Sequence, residues 1–305
     1  MTPTRRALLA ASACVVALSM RRAARAAGIM VAPEATGDVI GALDFHLTSK
    51  GETLLDLARE RKLGILELMA ANPAVDPWVP EPGTPLVVPT QHVLPEAPRE
   101  GIVINLAELR LYVFDRDGVR TFPIGVGRTG YVTPIGRTTV VRKQEGPTWY
   151  PTETTRADDP TLPAAVPPGP DNPMGAYALY LGWPTYAVHG TNKPWGVGRL
   201  ISRGCIRLYP EDIEALYPTV KIGTPVTTVS QAVKLGWQQG ALYLEVHPTR
   251  AQLNELGRSG RYTRSPAPDI TERVTTAAGA AATRVDWALV GTAALERLGY
   301  PIRIV

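Results

Sequence analysis

His189 is followed sixteen positions later by Cys205, which sits in the run Ser202-Arg203-Gly204-Cys205-Ile206-Arg207-Leu208. The chain has two cysteines, and the other, Cys14, falls in a segment with the marks of a removable export signal. A lone thiol in an exported protein has no disulfide partner, so Cys205 is either a bystander or a nucleophile. A nucleophilic thiol must lose its proton, since the thiolate is the attacking form and an ordinary thiol pKa is about 8.5. A histidine a short loop upstream can take that proton. Gly204 lets the backbone turn tightly and brings amide groups near the sulfur, where they could stabilise an oxyanion. Arg203 and Arg207 flank the thiol, and their charge would lower its pKa or hold a substrate carboxylate. The plainer alternative for each arginine is a structural salt bridge.

The elements that position these residues follow from composition and punctuation. At 305 residues, with 45% apolar and 20% charged side chains, the chain is globular and long enough for two or three domains. Its 29 prolines and 28 glycines favour short strands and turns over long helices. Residues 1–27 read as a signal peptide: Arg5-Arg6, an apolar run Ala7 to Leu18, and small residues at Ala24-Arg25-Ala26-Ala27. Thr4-Arg5-Arg6-Ala7-Leu8-Leu9 also looks like a twin-arginine signal. The five arginines of that segment account for the formal charge of +4; without them 27 basic face 28 acidic side chains, a net of −1. A balanced mature chain has no electrostatic footprint for nucleic acid.

Residues 38–95 read as a small α/β module. Phe45 to Thr48 form a strand, Thr53 caps a helix carrying Leu54, Leu57 and Ala58, a second helix stops at Asn72-Pro73, and Pro82-Gly83-Thr84-Pro85 turns into Leu86 to Pro89. Removal of this module is expected to leave the chemistry intact. Residues 99–230 are strand-rich, with a hairpin signal at Asp117-Gly118 and a helix opening at Pro210, and argue a mostly β sandwich or barrel. Within them Thr155 to Gly175 is rich in proline, incompatible with a regular helix or a central strand, and long enough to form a lid or cleft wall. Residues 231–305 form an α/β extension with a strand at Ala241–His247 and helices around Thr249–Leu256 and Asp286–Leu298. His46 and His92 read as surface or packing residues, and His247 as structural. No His/Cys/Asp cluster has metal-ligand spacing, so no metal or other cofactor is expected.

The run His189-Gly190-Thr191-Asn192, the Ser202 to Leu208 block and the upstream Thr133-Pro134-Ile135-Gly136 together resemble the catalytic domain of L,D-transpeptidases. Residues 38–95 resemble the LysM glycan-binding module through the Gly51-Glu52-Thr53 opening, Ala71-Asn72-Pro73 and the Pro82 to Pro89 ending. The pairing is that of the Gram-negative periplasmic branch, and the resemblance covers most of the mature chain. It departs where many members carry a second histidine, here Arg203, and where many have asparagine, here Arg207. The resemblance implies a Cys205 nucleophile, a His189 base, a Gly190 carbonyl that orients the ring, and oxyanion donors at Gly204 and Cys205. It puts Thr191, Asn192, Arg203 and Arg207 on the substrate side. The implied substrate is a peptidoglycan stem tetrapeptide, attacked at the bond before its terminal D-residue. The acyl acceptor is a second stem (3-3 cross-linking), the lysine of an outer-membrane lipoprotein (anchoring), or water (trimming by hydrolysis), and the implied compartment is the periplasm. Two other readings stay open: a wall-binding protein with an inert Cys205, and a cysteine endopeptidase, although there the cysteine would precede the histidine.

Overall fold

The computed structural model describes residues 29–31 and 37–305. The signal-peptide reading of residues 1–27, with Cys14, lies outside the described residues.

Strand β1 (Ile29–Val31) joins the large sheet of the second part, and β2 (Val39–Ile40) leads into the module. There β3 (Asp44–Leu47), α1 (Leu54–Glu60), α2 (Ile65–Ala71) and β4 (Pro85–Val88) follow in the expected order, and β3 pairs antiparallel with β4. Thr53 caps α1, its side chain accepting from the Asp56 amide. Strand β5 (His92–Val93) pairs back with β2.

The catalytic part holds β6 (Gly101–Asn105), β7 (Arg110–Asp115), β8 (Gly118–Pro123), β9 (Val126–Gly127), β10 (Gly136–Glu145), α3 (Glu153–Asp158), β11 (Tyr177–Leu181), β12 (Ala187–His189), β13 (Leu200–Ser202), β14 (Ile206–Arg207), α4 (Pro210–Leu216) and β15 (Pro225–Val229). Nine strands form one sheet in the order β1-β8-β7-β6-β15-β10-β11-β12-β14, and β9 pairs parallel with β13. The class is mostly β, as expected. The proline-rich stretch does begin with a short helix, because α3 ends before Pro160, the first proline that could break it, and Thr152 caps it.

The C-terminal part comprises β16 (Val233–Gln238), β17 (Ala241–Val246), α5 (Arg250–Ser259), α6 (Ile270–Ala278), α7 (Trp287–Glu296) and β18 (Ile302–Arg303), with the sheet ordered β16-β17-β18. Its apolar core, including Leu242, Leu244, Val274 and Val290, is its own.

The module is fused to the catalytic part rather than tethered to it. Leu57, Ile65 and Leu68 of the module share one core with Ile104, Leu111 and Phe122 of the sheet and with Leu253 and Leu256 of α5. At the seam Gly64 meets Gly198 backbone to backbone, and a Cβ on Gly64 would fall 2.8 Å from the Gly198 Cα, so neither position accepts a side chain. Arg59 pairs with Glu211 at 2.8 Å and Lys62 with the buried Asp212 at 2.7 Å. Removing residues 38–95 would strip this shared core, so the module is not a dispensable appendage.

A buried ionic cluster ties all three parts together. Arg110 on β7 reaches Glu67 of α2 at 3.1 Å, and Lys234 on β16 contacts Glu108 and lies 3.1 Å from Glu245 on β17. His247 lies 2.7 Å from Glu245 and 3.4 Å from Glu108. The fold brings His92, Glu108 and Glu245 within 4.8 Å of one another, a convergence that residue spacing could not show. The Lys234 ammonium sits between the two carboxylates and both Glu245 oxygens are in use, so the charges form an ion-pair network, while Glu108 Oε1 and both His92 nitrogens have no hydrogen-bond partner. His46, by contrast, pairs at 2.8 Å with Glu52 near the surface.

Candidate active site

Register brings the chemistry together. Strands β12 and β14 are parallel neighbours in which His189 is paired with Arg207, and Cys205 immediately precedes β14. The turn carrying Cys205 is held from three sides. Ser202 Oγ accepts from the Gly204 amide at 3.1 Å and donates to the Cys205 carbonyl at 2.6 Å. Thr133 Oγ1, fully inside the fold, donates to the Gly204 carbonyl at 2.7 Å. Gly204 has φ +107°, and a Cβ there would meet the Tyr186 ring at 2.8 Å, so only glycine fits. Ser202 and Thr133 were not singled out from sequence as site residues, although both stand in the quoted motifs.

His189 is buried, and its Nδ1 lies 2.6 Å from the Gly190 carbonyl. A carbonyl can only accept, so Nδ1 carries the proton and Nε2 is left as the basic nitrogen. Burial, and next the charge of Arg207, push the His189 pKa down to about 4, against the opposing carbonyls of Gly190 and Met174. Cys205 is half-buried. Burial pushes its thiol up from the ordinary value, while the Ala187 N–H and Arg207 work the other way without cancelling the rise. Both partners are therefore neutral near pH 7. Among the described residues the thiol's hydrogen bond goes to the Thr185 carbonyl at 3.4 Å and not to the imidazole.

The two arginines separate. Arg207 is the cation that acts on both Cys205 and His189. Its Nε is buried without a hydrogen-bond partner, and it has no carboxylate partner among the described residues. Arg203, expected to tune the sulfur or bind substrate, instead pairs with Asp158 of α3 at 2.8 Å and lies over the Tyr131 ring. Asp158 also accepts from Tyr131 at 2.7 Å and pairs with Arg128 at 3.3 Å, so it fastens α3 to Arg203, Tyr131 and Arg128. Of the other expected substrate groups, Asn192 keeps a buried Oδ1 without a partner. Thr191 is spent on the Lys193 amide at 3.0 Å. The Gly204 amide is likewise spent on Ser202, which leaves the Cys205 amide as the donor of this turn with no acceptor among the described residues.

A mostly β domain that carries a thiol and a buried imidazole on paired neighbouring strands now has known counterparts. A model of the YkuD family, the L,D-transpeptidase catalytic domain, matches residues 99–228. The chain is 46% identical over 210 residues to "Probable L,D-transpeptidase ErfK/SrfK" of Escherichia coli K12, covering 66% of each chain. It is 48% identical over 198 residues to "Probable L,D-transpeptidase YbiS" of the same organism, covering 62% of this chain and 64% of that one. To "Probable L,D-transpeptidase YcfS", also from Escherichia coli K12, it is 43% identical over 227 residues, covering 70% of this chain and 71% of that one. The chain belongs to the L,D-transpeptidase family. It spans just under two thirds of the length of ErfK/SrfK and of YbiS.

Proposed function

We propose that the protein is a periplasmic peptidoglycan L,D-transpeptidase that works through a Cys205 acyl-enzyme on stem tetrapeptides. The observation that carries this reading is a half-buried thiol at the start of β14, the strand paired with that of the buried His189, whose Nδ1 is held by the Gly190 carbonyl, with Arg207 acting on both and lacking a carboxylate partner among the described residues. Cys205 attacks the carbonyl of the third stem residue, and its proton passes to His189 Nε2. The tetrahedral oxyanion takes the Cys205 N–H, a type of donor whose loss costs about 3 kcal/mol. His189 then hands the proton to the departing amine, and the terminal D-residue leaves. An acceptor amine gives its proton to His189 and attacks the thioester, and the sulfur leaves as the new amide forms. Arg207 and Asn192 Oδ1 are unspent, and they suit a carboxylate and an N–H of the diamino acid.

Because thiol and imidazole are both neutral at rest, His189 acts as a base during attack, not as the partner of a preformed thiolate. The module at 38–95 belongs to the same reading as a LysM-like glycan contact, supported by its β-α-α-β order.

The test is to incubate the protein with disaccharide tetrapeptide and measure product and protein masses. A cross-linked dimer with a transient adduct on Cys205 is expected. Loss of the terminal residue alone would make water the acceptor and the protein a trimming hydrolase, and no turnover with no adduct would leave a wall-binding protein. Replacing the acceptor by a lipoprotein C-terminal peptide bearing lysine separates anchoring from cross-linking.

A further inference from the structure

The loop between β11 and β12 contains a residue in the wrong conformation for its type. Residues Trp183 to Tyr186 form a tight turn closed by the Tyr186 amide on the Trp183 carbonyl at 3.3 Å. Pro184 occupies the second position, and Thr185, with φ +70°, the third. That is the dihedral of a type II turn, whose third position belongs to glycine. Thr185 is the only β-branched residue with a positive φ among the described residues. β-Branching makes this region costly. The Thr185 side chain is exposed, so no packing compensates. What the conformation does accomplish is to aim the Thr185 carbonyl at Cys205 Sγ, 3.4 Å away. Two residues on, the Ala187 N–H faces the same sulfur. One short stretch thus offers the thiol an acceptor for its proton and a donor for its lone pair.

We propose that Thr185 is a positioning residue: its left-handed backbone holds the Cys205 thiol in a resting state, hydrogen-bonded to its carbonyl and not to His189, until substrate binding hands the thiol to the imidazole. The inference rests on Cys205 being the nucleophile, and it makes the resting enzyme slow toward small electrophiles. No proton changes owner in the resting state; the S–H bond is intact and donates to the carbonyl. The carbonyl favours the neutral thiol, because only the thiol can donate. The other titratable or charged groups around the sulfur are His189 on β12, Arg207 on β14, Tyr186 against Gly204, and Arg203, which is tied to Asp158.

Alkylation of Cys205 by iodoacetamide across pH reads the thiol directly, whatever the physiological substrate. Thr185→Pro fixes φ near −65° and swings the carbonyl away, and it removes no hydrogen bond from the Thr185 N–H, which has no acceptor among the described residues. Its alkylation midpoint should fall by about half a pH unit, the worth of one weak hydrogen bond. Thr185→Gly keeps the left-handed backbone. It should retain the wild-type midpoint with a raised melting temperature. A superimposable profile for a folded Thr185→Pro, or an equal shift for Thr185→Gly, overturns the proposal. Should Thr185→Pro fail to fold, the infrared difference spectrum of wild type against Cys205→Ser decides. An S–H stretch lowered by donation to a carbonyl supports the resting contact, and a free S–H band overturns it. Absence of peptidoglycan turnover with these shifts present would count against the proposed substrate and not against Thr185.

Discussion

Among the described residues, the buried polar cluster where the three parts meet and the one around Cys205 treat their charges oppositely. Where the three parts meet, Glu67 faces Arg110, and Lys234 and His247 face Glu108 and Glu245, so each charge is answered. In the stretch from His189 to Arg207, the Arg207 Nε and Asn192 Oδ1 are buried without partners, and His189 and Cys205 are both kept neutral. A buried polar group without a partner is costly. The difference lies in charge rather than in hydrogen bonding: every ion of the first cluster has a counter-ion, whereas Arg207 has no carboxylate partner among the described residues. Two groups of the first cluster lack hydrogen-bond partners: Glu108 Oε1, and His92, whose nearest carboxylate oxygens are 3.8 and 3.9 Å away, beyond hydrogen-bond reach, and whose pKa burial pushes down, so that it sits there as a neutral packing ring.

The largest effect expected on either side is at the thiol. Cys205→Ala should abolish the covalent adduct and all turnover, while the melting temperature stays close to wild type, because Cys205 is half-buried and one sulfur is lost from it. Intact-protein mass after substrate exposure, with a thermal scan of the same sample, checks both halves. A variant that still turns over would erase the contrast between the clusters.

The junction should respond in the reverse way. Lys234→Met leaves Glu108 and Glu245 facing each other in the interior without their shared cation, and breaking such a pair costs about 3–5 kcal/mol. Denaturant unfolding should show that loss, while the alkylation rate of Cys205 in the folded fraction stays at the wild-type value. A changed alkylation rate with unchanged stability would mean that the two clusters communicate.

The difference in legibility between the clusters has a physical cause. The site lies within nineteen residues, from His189 to Arg207, and its turn is enforced locally by Gly204, so motif and geometry coincide. The capping of α1 by Thr53 was readable for the same reason. The junction joins Glu67, Arg110, Lys234 and Glu245, which are far apart in the chain, and each reads in sequence as one more surface charge. Strand β16 was missed because Gly236 interrupts its pattern, and α6 because Thr271, Thr275 and Thr276 weaken its helical signal. The destinations of Arg203 and Arg207 could not be told apart, since both flank the thiol in sequence and only Asp158 of α3 separates them.

The pH response separates the clusters next. Burial works against a charge on His247, but Glu245 and Glu108 outweigh it and raise its pKa from 6.5 to about 9. A histidine raised on folding contributes its full stabilisation below the unfolded value, and that contribution is lost as pH climbs through the folded one. Stability should therefore fall between pH 6.5 and about 9, by about 3 kcal/mol if His247 acts alone. His189, lowered to about 4, acts only below 6.5, and there with the opposite slope. Urea unfolding at successive pH values should show the decline in wild type and a flattened curve in His247→Gln. A decline of equal depth in that variant would assign it elsewhere.

The smallest expected effect distinguishes the two arginines beside the sulfur. Arg207 acts on Cys205 directly, so Arg207→Ala should move the pH midpoint of thiol alkylation upward, since a neighbouring cation favours the thiolate. Arg203 is already neutralised by Asp158, and that pair is partly exposed, at 29% and 43% of the two side chains. Such a pair is worth about 0–1 kcal/mol. Arg203→Ala should leave the alkylation profile superimposable on wild type and loosen only the hold on α3, seen as faster amide exchange over residues 153–158. If instead Arg203→Ala shifts the profile as far as Arg207→Ala does, the guanidinium of Arg203 must leave Asp158 for the sulfur in solution. The line between a cluster with its charges answered and a site with its charges held open would then run through Asp158, and α3 would belong to the chemistry.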